Sequence, residues 1–212
     1  MKRSQTLQDE RRAIVSAAAA LFMDRGYDNI TMSAIAESLN ISIASLRHHF
    51  VSKTKLLIAV VAHIADDIGR QWEAELKEGN GTAIAKMRRL LPLHFQPSQS
   101  IILKCGQNGN TKLCTWLAAA LAERLLPALT GLIRQGCDDG VFRVKYPGEV
   151  AQFLLAGLQF LTQQGIGPWN VEVYMRRAAA VPSIVESLLD AQPGSLAFVS
   201  VPLTIQSRQH GG

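Results

Sequence analysis

The sequence predicts an all-α protein in which a compact three-helix unit at the N-terminus is joined by a long helix to a larger helical region. Three observations lead there. Apolar residues recur at i, i+3, i+4 and i+7 through nearly every segment, as buried helix faces require. Thr and Ser stand where helices would start, and Gly or Asn where they would stop. With 212 residues and 48% hydrophobic content, the chain is also long and apolar enough to bury a substantial core.

The first helix is expected to be capped by Thr6, with Asp9 three residues on. Ile14, Ala17, Ala18, Leu21 and Phe22 form its inner face, and Gly26 ends it. Thr31 caps a second, short helix that buries Ile35, Ala36 and Leu39 and stops near Asn40, a residue that tolerates left-handed geometry. Ser42 caps a third helix running to about Val51, and Ser52 begins the fourth with Lys53 in its first turn.

From Lys53 onward Leu57, Val60, Val61, Ile64, Ile68 and Trp72 keep one stripe until "EGNG" at 78–81 breaks it. A helix from Thr82 to Phe95 turns Ile84, Met87, Leu90 and Leu91 inward, Pro97 closes it, and "GQNGN" at 106–110 is a loop. Residues 111–136 form another long helix with four charged side chains, Lys112, Glu123, Arg124 and Arg134, and Pro127 is expected to kink it. After "DDGVF" and Pro147, a helix over 148–164 carries Glu149 as its single charge, so it is either central in a core or buried on two sides, one of them against another chain. A last helix spans about Val171 to Leu189, and the tail 191–212, with Pro193, Gly194 and Pro202, is expected to be poorly ordered. The expected units are therefore 1–56, 57–190 and the tail.

Charge separates these units. Net charge is +5 and the isoelectric point about 9.3. Residues 1–56 hold 8 Lys and Arg against 5 Asp and Glu, and the other 156 residues hold 14 against 12. The positive excess is thus concentrated at the N-terminus, which suits an anionic partner there. Cys105, Cys114 and Cys137 are odd in number and unpatterned, poor material for disulfides or a zinc site, and they fit a reducing cytoplasm. No signal peptide is evident, and no run approaches the roughly 18 to 20 apolar residues that span a bilayer. The sequence contains no phosphate loop, GxSxG or HExxH motif, so an enzyme is not expected, nor any cofactor.

"NISIASLRHHF", residues 40–50, carries the functional signal. Leu46 and Phe50 stand four apart as a buried pair, while polar groups fill the other positions. Short helix, tight turn, short helix is the arithmetic of a helix-turn-helix, whose second helix lies in the DNA major groove. Ile43, Ala44, Ser45, Arg47 and His48 would then face the groove, where arginine can take two acceptors on guanine and hydroxyls and histidine can meet bases or phosphates. Thr31, at the start of helix 2, and Lys53, at the start of helix 4, are placed to hold phosphates, and Ser33 and Ser42 are further DNA-binding candidates. His48 and His49, about 100° apart on the helix, make a poor chelate. A polar face on a short helix is equally compatible with simple solvation, so the surrounding pattern must decide.

That pattern, "AAALFMDRGYDNITMSAIAESLNISIASLRHHFVSKTKLL" at 18–57, resembles the N-terminal domain of the TetR family of transcriptional regulators. Leu21, Phe22, Gly26, Tyr27, Thr31, Ile35, Ala36, Ile41, Ser42, Leu46, Phe50, Ser52, Lys53 and Leu56 carry the resemblance. "GCDDGVFR" and the following helix with Gly157 are compatible with the family's second domain. Asn40 replaces the family's usual turn glycine, Ala44 another glycine, and Arg47 a tyrosine that family members use mainly on the phosphate backbone. Whether Arg47 reads a base or takes over the phosphate contact stays open at this point.

The resemblance implies a repressor that binds a palindromic duplex operator as a homodimer, with a small-molecule effector held inside helices 4 to 7. Trp72, Phe95, Cys105, Cys114, Trp116 and Leu117 are candidates to line the effector site, although aromatic residues on helix stripes are more often core. Phe153, Leu154, Leu155, Leu158, Leu161, Val181, Ile184 and Leu188 are candidates for the dimer interface. Two rivals remain: a metal or thiol sensor using His94, Cys105 and Cys114, whose spacing matches no standard site, and an effector-independent architectural DNA-binding protein.

Overall fold

In the computed structural model, residues 2–78, 81–91, 110–162 and 171–199 are described, and they contain helices and no strand. The N-terminal unit consists of α1 (Lys2–Arg25), α2 (Met32–Ser38) and α3 (Ile43–His49). α1 starts by Lys2, ahead of the expected cap at Thr6, since residues 2–5 contain neither Gly nor Pro to stop it. Its buried face is Ile14, Val15, Ala18, Ala19 and Phe22, with Ala17 and Leu21 only half-buried at the margin. Gly26, with φ 88°, takes the left-handed position that ends the helix and donates to Phe22 O at 3.1 Å.

The turn chemistry follows the capping residues. Thr31 Oγ1 accepts from Ala34 N at 3.1 Å and Ser42 Oγ from Ser45 N at 3.0 Å. Between them Asn40 sits at φ 56°, and Ile41 N returns to Ala36 O at 3.0 Å. α3 stops at His49 rather than Val51, because Phe50 turns to extended backbone and drops its ring into the core at 2% exposure. Ser52 Oγ then caps α4 (Lys53–Glu78) by accepting from Lys55 N at 3.2 Å.

α4 joins the two regions. It packs against α1 near its start and against α6 (Thr111–Asp138) along its length, burying Leu56, Leu57, Val60, Ile64, Ile68 and Trp72. α5 (83–91) is capped by Thr82, whose Oγ1 accepts from Ala85 N at 3.3 Å, while Asp139 Oδ2 accepts from Ala83 N at 2.8 Å. Ala83 takes the inward place and leaves Ile84 half-buried, contrary to the expected stripe. α6 continues through the exposed Pro127. It is long and apolar enough to cross a membrane by length and composition, which corrects the expectation that no segment would be. It packs instead between α4 and α7 (Pro147–Thr162).

Gly136, near the end of α6, is required by close approach: a Cβ there would clash with the ring of Phe142, which is 2% exposed. This contact folds "GCDDGVFR" back onto the helix. α8 (Val171–Leu189) packs on α7. Beyond it, the first part of the expected poorly ordered tail is packed. Leu196 and Val199, in and beside a 3-10 turn at Ala197–Val199, are 0% and 1% exposed. Leu196 N donates to Glu186 Oε1 at 2.8 Å, so a carboxylate on α8 and two apolar anchors hold a segment whose Pro193 and Gly194 had suggested disorder.

Candidate DNA-binding surface and effector region

α3 separates its two jobs by face. Leu46 is 0% exposed, whereas Ser42, Ile43, Ala44, Ser45, Arg47 and His48 are all exposed. The helix is pinned from α1: Arg11 Nη1 donates to His49 O at 2.9 Å, its guanidinium lies 4.0 Å over the Phe50 ring, and Glu10 stands 3.3 Å from His49 Nε2. His49 therefore belongs to the support and His48 to the outer face, so the adjacent pair divides as the helix rotation requires. Thr31 and Ser33 on α2 are exposed as well. Thr31 and Ser42 use an oxygen lone pair for capping, which leaves each hydroxyl hydrogen available to donate.

Lys53, in the first turn of α4, is held rather than free. Its Nζ lies 4.2 Å from the Tyr27 ring centroid and donates to Asp28 O at 3.4 Å. Partial burial lowers its pKa from the ordinary lysine value; Asp28 opposes this, and the neighbouring Lys112 ammonium adds to it. A phosphate would relieve both unfavourable effects of that site by supplying a counter-charge.

The effector candidates are less gathered. Trp72 and Leu117 are each 1% exposed and belong to the core cluster, while Cys114 and Trp116 are half-buried on α6 with Lys112 Nζ 5.0 Å from the Trp116 ring. Phe95 and Cys105, with His94 of the metal reading, lie outside the described residues. No group of three metal-ligating side chains occurs among the described residues.

On the outer side of α7 and α8 is an apolar groove of about 230 Å³, lined by Phe153, Leu154, Gly157, Leu158, Val181, Ile184, Val185 and Leu188. Phe153 is 62% and Ile184 43% exposed, a large apolar area facing outward. Leu155, expected at this face, is buried at 7% and does not line the groove, because one residue of helix rotation turns it into the protomer's own core. The side chain of Leu161 lies outside the described residues.

Residues 14–60 match the family described as bacterial regulatory proteins, tetR family, and 99–184 match a tetracyclin repressor-like C-terminal domain. The HTH-type transcriptional regulator BetI of Agrobacterium fabrum is 33% identical over 86% of this chain and 87% of its own length. The chain belongs to the TetR family. Its match to BetI of Brucella canis is 29% identical, over 42% of this chain, and spans only 44% of that relative's length. Among solved structures, a transcriptional regulator from Cytophaga hutchinsonii superposes with a TM-score of 0.64 at 18% identity, covering 84% of this chain and 96% of that one. A regulator from Saccharomonospora viridis, solved in complex with choline, gives 0.57 at 24% identity, covering 86% and 95%. These two likenesses concern the fold. The family is one of bacterial regulatory proteins, and the relatives matched are transcriptional regulators rather than enzymes.

Sequence reasoning missed Arg11 and Glu10, whose role is to brace α3, and Asn110, which no local pattern distinguishes from a loop residue. Their only sequence signal is polarity next to apolar stripes.

Proposed function

We propose that this TetR-family protein is a homodimeric cytoplasmic repressor that reads a palindromic operator through α3 and releases it when a small molecule binds within α4 to α7. Residues 1–56 are the reading unit and 57–190 the effector and dimerisation unit. The exposed polar face of α3, set on the buried Leu46 and Phe50, is the observation that carries the reading. Ile43, Ala44, Ser45, Arg47 and His48 meet base edges, and Thr31, Ser33, Ser42 and Lys53 meet phosphates.

Two-fold symmetry fixes the form of the site. A binding-site selection with the full chain is expected to return a symmetric motif whose half-sites lie about one helical turn, or a multiple of it, apart. A selection that returns no symmetric motif overturns the palindromic reading. Lys53→Ala should weaken binding to every duplex alike and lower the salt dependence by about one phosphate contact per protomer.

The effector is tested by thermal shift against hydrophobic metabolites, drugs, divalent metals and choline, the last because the Saccharomonospora viridis regulator was solved with it. A ligand at roughly one hundred times its Kd stabilises the folded state by about 2.7 kcal/mol, which raises Tm by several degrees. The same ligand should release the operator. Stabilisation without release would argue for a regulator that does not work by derepression.

A further inference from the structure

Asn110 stands immediately before the first residue of α6 and is 2% exposed. An asparagine at that place is usually a helix cap, but its side chain makes no capping bond to α6. Both ends of its carboxamide are used elsewhere. Nδ2 donates to Phe22 O at 2.7 Å, and Oδ1 accepts from Tyr27 N. These backbone groups close the turn after α1, so a residue of the effector region satisfies two buried polar groups of the reading unit. A carboxamide supplies the required donor and acceptor at once; a carboxylate would set an oxygen against the Phe22 carbonyl.

The same turn carries the Lys53 site. The Tyr27 ring packs edge-on to Phe22 at 5.1 Å between centroids and lies under the Lys53 ammonium at 4.2 Å. Asp28, the next residue, offers Lys53 its carbonyl. Moving the backbone at Tyr27 therefore moves both groups that locate Lys53.

We propose that Asn110 is a positioning residue for DNA binding: by fixing the turn at Tyr27 and Asp28 from the start of α6, it sets where Lys53 meets a phosphate. This rests on the reading of Lys53 as a phosphate contact, and it makes the strength of non-specific DNA binding depend on a residue that touches no DNA.

The test is a double-mutant cycle in the full chain, with affinity for a mixed-sequence duplex followed by fluorescence anisotropy over a salt series. No operator need be known, because a phosphate contact acts on any sequence. Lys53→Ala is expected to weaken binding and flatten the salt dependence. Asn110→Ala should give a several-fold loss and the same flattening, and in the Lys53→Ala background it should cost nothing more. A purely structural role for Asn110 would instead lower affinity by the same factor in both backgrounds. Asn110→Asp keeps the acceptor for Tyr27 N but sets an oxygen against the Phe22 carbonyl, so it tests the donor half of the contact, and Tyr27→Leu removes the ring beside Lys53 while leaving the backbone bond to Asn110 in place. Losses that multiply overturn the proposal and leave the phosphate reading standing, as does wild-type binding by Asn110→Ala. An unchanged Lys53→Ala overturns both.

Discussion

Phe153→Glu and Ile184→Glu are each expected to convert a dimer into a folded monomer that no longer holds a symmetric operator. In the protomer these side chains are 62% and 43% exposed, so a carboxylate at either place stays in contact with water and costs the single chain little. In a two-fold interface the same residue is buried twice, once from each protomer, within a groove whose lining residues are all apolar. An unpaired charge there costs about 3 to 5 kcal/mol per copy, enough to dissociate a dimer that is stable at micromolar concentration. Losing the second reading head removes the effective-concentration gain of a bivalent contact, roughly 100-fold to 10,000-fold in operator affinity. Sedimentation measures the first effect, a melting curve close to wild type confirms that the protomer is intact, and a titration with operator measures the second. Leu155→Glu is the instructive contrast: that side chain is buried in its own core, so the variant should unfold rather than dissociate. A wild-type chain that sediments as a monomer at micromolar concentration would remove the basis for the whole expectation.

The contrast between Leu155 and its neighbour Leu154 also shows where sequence reading loses resolution. The N-terminal unit was legible because its determinants are local. Thr31, Ser42 and Ser52 each cap a helix within three residues, Asn40 takes the left-handed turn position, and Leu46 and Phe50 share a face. α7 is apolar nearly all round, so its periodicity marks buried positions without saying which side packs into the same chain and which lines the outer groove. Leu154 lines the groove, and Leu155, about 100° further round, does not. Non-local pairings were invisible for a related reason. Glu186 holds Leu196, and Asn110 holds Phe22 and Tyr27 across 88 and 83 residues, and nothing in the local composition of either partner announces it. Trp72 could be placed on a stripe from sequence, but only packing puts it in the core cluster.

Arg47→Ala is expected to cost ~1 to 3 kcal/mol at one base position of each half-site while leaving non-specific affinity nearly intact. Over a symmetric operator the two losses add to roughly 2 to 6 kcal/mol, a larger effect than removing any single phosphate contact. Base reading is favoured by placement. Arg47 follows the fully buried Leu46 and precedes the buried Phe50 by three residues, which puts it near the middle of the outward face. It takes part in no ion pair among the described residues, whereas Arg11 is committed to His49 O and the Phe50 ring. Arg11 is thus the supporting arginine, and the exposed guanidinium of Arg47 is left to span two acceptors on one guanine if base reading holds. Phosphate offers the same bidentate geometry, so the decision belongs to the pattern of loss and not to its size. A panel of single-base operator variants, titrated with wild type and Arg47→Ala at two salt concentrations, separates the two. A base contact makes the variant protein indifferent to substitution at one position per half-site and changes the salt slope little. A phosphate contact lowers affinity for every operator by the same factor, most at low salt. Equal losses at all positions would assign Arg47 to the backbone and leave Ile43, Ala44, Ser45 and His48 to read the sequence.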